Sequence, residues 1–294
     1  MRYALAILLM FGAFLQAQDM SQVTIKTVKI NDHLHMLVGD GGNIGVCSGG
    51  DGVFMIDDQF APLTEKIQAA IKAISDQPVK FVVNTHYHFD HTGGNENFGK
   101  TGSIIVAHEN VRKRLSKEQF MKDFDMTVPA ATKVALPSIT FTRDMAFHLN
   151  GEEMRILHVS GAHTDGDAIV HFPKSNVVHM GDTFFNGLYP YIDVHSGGSV
   201  AGMIRVADEV LAWIDEDTQI IPGHGPLGKQ ADLMAFRDVL TKIQANVKAL
   251  VDQGKTLEEV IAAKPTAAFD DPWGKAFLSP EKFTGIVYNS VTKK

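Results

Sequence analysis

The chain has 294 residues, 45% hydrophobic and 21% charged, with a formal net charge of −7. That content suits an α/β chain with a sizeable core, and with no basic cluster larger than Arg112-Lys113-Arg114 it argues against nucleic acid as substrate or partner. Cys47 is the single cysteine, so no internal disulfide can form, and it reads as a buried structural thiol.

The N-terminus has the form of a signal peptide. Arg2 precedes an apolar run from Ala4 to Phe14, and Gln16-Ala17-Gln18 offers a small residue for cleavage. The run is too short to span a bilayer comfortably. The expected division is a leader over residues 1–17 and one domain over 18–294, because no linker, repeat or low-complexity tract interrupts the rest. Such a protein is exported, into the periplasm, with no stable membrane insertion after cleavage.

Val23–Ile30, His35–Val38, Ile44–Cys47 and Val53–Ile56 read as short strands, separated by Gly39-Asp40-Gly41-Gly42 and Gly49-Gly50-Asp51-Gly52. Pro62–Ile74 reads as a helix, with Ile67, Ala70, Ile71 and Ile74 on one face. Val79–Val83 and Ile104–Ala107 are strands, and Glu109–Leu115 opens a helix. Residues 116–150 carry no clear period; Met121, Phe124, Met126 and Phe141 read as a helix face or core rather than as a substrate wall. Strands follow at 154–159, 168–172 and 176–180, then a helix from Val200 to Ile214 and a long amphipathic helix marked by Leu233, Phe236, Leu240, Ile243, Val247 and Leu250.

The chemistry is concentrated where strands stop. His86-Tyr87-His88-Phe89-Asp90-His91 follows the strand Val79–Val83 and places three imidazoles and a carboxylate within six residues. All are metal-ligand types. Side chains at i and i+2 of an extended chain point the same way, so His86 and His88 can grip one ion. Asp90 and His91, where the chain turns at Thr92-Gly93-Gly94, can face a second. His163 (in Gly161–Asp167), Asp182 (in His179–Thr183) and His224 (in Ile220–Pro226) each follow an apolar run and have glycine close by. Loops on a rigid scaffold are where sites form. Thr164, Asp165 and Asp167 would pin the His163 loop through backbone bonds. His108, His158, His171 and His179 read as structural, and His33, His35 and His148 as peripheral. Asp57 and Asp58 end a strand, where turn or helix-entry acidity accounts for them. Gly39–Asn43 is either a tight turn or a flap over the site.

In this order and at these separations the motifs resemble those of the metallo-β-lactamase-fold hydrolases, over nearly all of the chain after residue 25. The resemblance implies a four-layer αβ/βα sandwich, where periodicity alone gives only α/β. It places His86, His88 and His163 on a first metal, Asp90, His91 and His224 on a second, and Asp182 between them. It makes Asp57 a carboxylate steadying a ligand histidine, and puts His195 on the substrate side. The broad-spectrum β-lactamases of this fold have a cysteine where Asp182 stands and lack a histidine at position 91. The all-nitrogen-and-oxygen set here is similar to glyoxalase II and lactonases. The implied activity is a dinuclear zinc hydrolase that cleaves an amide or ester bond of a small-molecule substrate with a metal-bound hydroxide, β-lactams among the candidates, with Asp90 as the catalytic carboxylate. Iron or manganese accept similar ligands. The alternatives are a lactonase or thioesterase of the glyoxalase II kind and, in another class, a mono-iron persulfide dioxygenase, which would not need His91 and His224.

Overall fold

Phe54 and Ile56 of the strand Gly52–Ile56 project into one apolar cluster, Val53 and Met55 into another. A strand apolar on both faces needs cover on both. The computed structural model, which describes residues 20–293, shows what supplies it. The leader expected over residues 1–17 lies outside the described residues.

One sheet has seven strands, each paired with the next of the seven along the chain. They are β1 (Lys26–Lys29), β2 (Leu34–Val38), β3 (Ile44–Gly49), β4 (Gly52–Ile56), β5 (Val79–Asn84), β6 (Ile104–His108) and β9 (Ile139–Phe141). Between β6 and β9 in the chain, β7 (Gln119–Met121) and β8 (Met126–Val128) pair only with each other. The other sheet runs β10 (Asp144–Leu149), β11 (Glu152–His158), β12 (Ala168–Phe172), β13 (Val177–Phe185), β14 (Gln219–His224) and β15 (Gly228–Lys229). Phe54, Ile56, Val83 and Val106 of the first sheet meet Ile156, Val170, Phe172 and Ile221 of the second in one buried cluster. The outer face of the first sheet packs on Ile67 and Ile71 of α1 (Thr64–Ile74) and on Phe98 of α3 (Asn95–Lys100), which follows the short α2 (Phe89–Thr92). The outer face of the second is covered by α5 (Val200–Leu211), α6 (Gln230–Asp252) and α9 (Pro280–Thr292), through Met203, Leu240 and Phe283 among others. Helix, sheet, sheet, helix is the four-layer sandwich that the motifs implied. Among the described residues no helix is long and apolar enough to cross a membrane.

Three departures from the sequence reading bear on function. Residues 116–150 hold β7 to β10 and no α-helix, because Asp125 turns the chain at positive φ (47°) between two three-residue strands too short to show a period. β13 runs to Phe185 rather than stopping at position 180; its register against β14 shifts around Gly181, at φ 50°. A bulge of this kind re-aims the next side chain, here Asp182. α5 ends at Leu211, before Ile214.

Direction positions the site. β4, β5 and β6 are mutually parallel, as are β13 and β14. Asp57 follows β4, His86 to His91 follow β5, Asp182 lies in the C-terminal half of β13 and His224 ends β14. Ligands gather where parallel strands end.

Candidate metal centre

Two groups of donors form at this rim. His86, His88, His163 and Asp182 make one; Asp90, His91 and His224 make the other; within each, the donor atoms lie within 4.8 Å of one another. Asp182 stands between them. Its Oδ2 is 3.7 Å from His86 Nε2 and 3.4 Å from His163 Nε2. Its Oδ1 is 3.0 Å from His91 Nε2 and 3.5 Å from His224 Nε2, and this buried oxygen has no hydrogen-bond partner.

The outer hydrogen bonds fix which ring nitrogens carry protons. His163 Nδ1 is 2.8 Å from the Tyr191 carbonyl, which can only accept, so its Nε2 presents a lone pair. Thr85 Oγ1 donates to Asp57 Oδ2 at 2.7 Å and therefore accepts from His86 Nδ1 at 3.0 Å, leaving His86 Nε2 as a lone pair. His88 Nε2 donates to Asp193 Oδ2 at 3.2 Å, leaving Nδ1 free. The free His88 Nδ1 is 3.1 Å from His86 Nε2 and 2.8 Å from His163 Nε2. With all three rings in their neutral, ligand form, three lone pairs face one another at hydrogen-bond range. A cation at their centre resolves that repulsion, and imidazole with carboxylate suits a divalent transition metal. Burial keeps His86 well below the usual imidazole range and His163 down at about 4, so both rings are neutral, as ligands must be. In the second group burial also opposes charge, but Asp182 and Asp90 outweigh it, raising His91 well above that range and His224 to about 9.

A second layer of side chains holds the rings. Asp57, fully buried and at φ 60°, accepts from Thr85 N at 2.7 Å and from His91 Nδ1 at 2.7 Å. A non-glycine residue at such a φ is strained, and strain of this kind clusters at functional sites. This contact to His91 has the geometry expected of the steadying carboxylate that the motif resemblance implied. Asp193 holds His88 while accepting from Tyr87 Oη at 2.6 Å and Ser196 N at 2.9 Å. Asp167 accepts from the His163 backbone N–H at 2.7 Å. Phe185 stacks on the His224 ring, centroids 5.1 Å apart. Asp57→Asn, which turns an acceptor toward a donor at His91 Nδ1, is expected to weaken metal binding about 10–100-fold. Competition against a chelator measures this.

Backbone approach is equally close. A Cβ on Gly42 would stand 2.0 Å from His91 Cε1, and one on Gly223 2.0 Å from Asp182 Oδ1, so only glycine fits beside either ligand. The Gly39–Asn43 segment is pinned rather than free to flap. Gly42 N donates to Asp90 O at 3.1 Å, Gln59 Nε2 donates to Gly42 O at 2.7 Å, and Asn43 Nδ2 donates to Pro222 O at 3.0 Å.

A cleft of about 610 Å³ opens on the cluster, with His88, Asp90, Asp182 and His224 at its floor. Met121, Phe124 and Met126 line it, while Met121 also belongs to a core cluster against which Met126 packs; Phe141 is in the core between the sheets. His195 is a further correction. It is exposed in the turn Val194–Ser196 and does not line the cleft, because the bond from Ser196 N to Asp193 turns the backbone so that Asp193 faces inward. The residues of that segment that reach the site, missed by sequence reasoning, are Tyr191, which lines the cleft, and Asp193, which bonds His88. The only available signal was their place in the loop after Asp182.

The sequence profile described as the metallo-beta-lactamase superfamily matches residues 37–233. A hydroxyacylglutathione hydrolase of a Polaromonas species is 27% identical over 165 residues, 55% of this chain and 55% of its own. The alpha subunit of 2,4-dinitroanisole O-demethylase from a Nocardioides species is 25% identical over 142 residues, 47% of this chain and 40% of its own. The chain thus spans about half the length of these curated relatives. A solved metallo-beta-lactamase from Pontibacter korlensis superposes with a TM-score of 0.61 at 20% identity, over 74% of this chain and 99% of that one.

Proposed function

This chain belongs to the metallo-beta-lactamase superfamily, and from that premise we propose that it is a dinuclear zinc hydrolase cleaving an amide or ester bond of a small-molecule substrate. The observation that carries the proposal is the donor set itself: seven ligands in two groups that share Asp182. Seven are too many for one zinc, which usually takes about four. His91 and His224 have no ligand role in a mono-iron oxygenase site, and their convergence with Asp90 favours two ions. Iron or manganese would accept the same atoms. Two divalent ions held by these residues would supply an acidified water and would polarise a scissile carbonyl.

The chain's own part in turnover centres on Asp90. It sits on the cleft floor with its side chain 21% exposed, and its Oδ2 is 3.2 Å from His224 Nε2 and 3.6 Å from His91 Nε2. Burial opposes its ionisation, yet His91 and His224 hold it down at about 2. An ionised carboxylate that opens on the cleft can accept the proton of an attacking water and pass it to a leaving group. The named hydroxyacylglutathione hydrolases add thioesters as a second substrate class. Export to the periplasm through the leader at residues 1–17 belongs to the same proposal. Zinc-loaded protein should hold about two ions per chain and hydrolyse members of an amide, ester, lactone and thioester panel. One iron per chain with oxygen consumed would overturn the reading.

A further inference from the structure

The cleft walls say more about the substrate than its floor does. Phe60 and Phe89 form one side, their ring centroids 5.7 Å apart. Phe124, Tyr191 and Phe277 form another: Phe124 lies 4.9 Å from the Tyr191 ring, edge-on, and 6.0 Å from Phe277. The Tyr191 hydroxyl donates to Asp123 Oδ2 at 3.1 Å, so this residue offers the cleft a ring rather than a polar tip. Phe124 is 37% exposed and Phe277 61% exposed, although each packs on other rings at the mouth. Exposed apolar side chains gathered around a cavity mark a site for an apolar ligand.

Charge excludes the main alternative. Among the described residues no lysine or arginine lines this cleft, and Asp40 is its one acidic lining residue beyond the floor. Lys26 lies in a neighbouring groove across the Gly39–Gly41 segment. An anion placed among these rings would lose its hydration and find no partner. We infer that the cleft binds a neutral, apolar acyl or alkyl chain and selects against a chain that ends in an anion. This rests on the hydrolase reading above for what is done to the chain, but not for its binding.

The test uses zinc-loaded protein and neutral probes with no hydrolysable bond, 1-butanol, 1-hexanol and 1-octanol, titrated calorimetrically beside ω-sulfonate versions, whose end group coordinates metals weakly. Affinity should rise about 3–4-fold per methylene, and each sulfonate should bind at least about 10-fold more weakly than its neutral partner. Phe124→Ala with Phe277→Ala, both at exposed positions, should cut the gain to below about 2-fold per methylene. Phe124→Lys should restore affinity for the sulfonates. Affinity independent of chain length, or sulfonates bound as well as neutral probes by the unaltered protein, would overturn the inference. The matching 4-nitrophenyl esters separate the two readings. Chain-length-dependent binding without hydrolysis by two-zinc protein would overturn the hydrolase alone, and hydrolysis indifferent to chain length would overturn the cleft assignment alone.

Discussion

Asp182→Ala should cost the protein both metal positions at once. One oxygen of this carboxylate faces the His86–His163 side and the other faces His91 and His224, so a single truncation removes a ligand from each group. His224→Ala should empty only the second. After dialysis against limiting zinc, the Asp182 variant is expected to retain fewer than one ion per chain. Its kcat/KM should fall by at least the 10²–10⁴-fold typical of losing a single acid–base group, about 3–5 kcal/mol of barrier. Elemental analysis beside steady-state kinetics checks it. Two ions retained with full activity would show that Asp182 bridges nothing.

Asp90→Asn parts ligation from proton transfer. The amide keeps the shape and one coordinating oxygen but cannot take a proton from water or deliver one to a leaving group. A kcat loss of about 10²–10⁴ is expected, with the first ion still bound. The loss should shrink for a substrate with a good leaving group, which needs less protonation. Rates for paired 4-nitrophenyl and alkyl esters make the comparison. Wild-type rates for both would leave Asp90 as a structural ligand only.

The converging donor set was legible because each member follows a short apolar run in the chain. His86, His88, Asp90 and His91 follow β5 directly, Asp182 lies in the C-terminal half of β13 and His224 ends β14. The supporting layer was not legible for the opposite reason. Asp193 serves Tyr87 and His88 across 106 and 105 residues, and no local pattern announces such a partner. The resemblance points to the right segment after Asp182 but to His195 within it, although the side chain that reaches the site is Asp193, two positions earlier. Asp57 is open to two sequence readings, strand-end acidity or a carboxylate beside a ligand histidine, and only its 2.7 Å contact with His91 separates them. The cleft wall escaped because β7 and β8 have three residues each, too few to show alternation. The bulge at Gly181 likewise leaves no hydrophobic signature, since it changes backbone register and not residue type.

Each donor group straddles the sandwich. His86 and His88 follow the end of β5 in the first sheet while His163 and Asp182 come from the second; Asp90 and His91 likewise face His224 from opposite sheets. An ion in either position therefore acts as a cross-link between the two halves of the fold, set beside the apolar layer that joins them. Ligands that bind only the folded state stabilise it by mass action, about 2.7 kcal/mol at a hundredfold excess over Kd. On the proposed ligation, resistance to unfolding becomes a function of free metal concentration, and a chelator would loosen the seam between the sheets as well as silence the cleft.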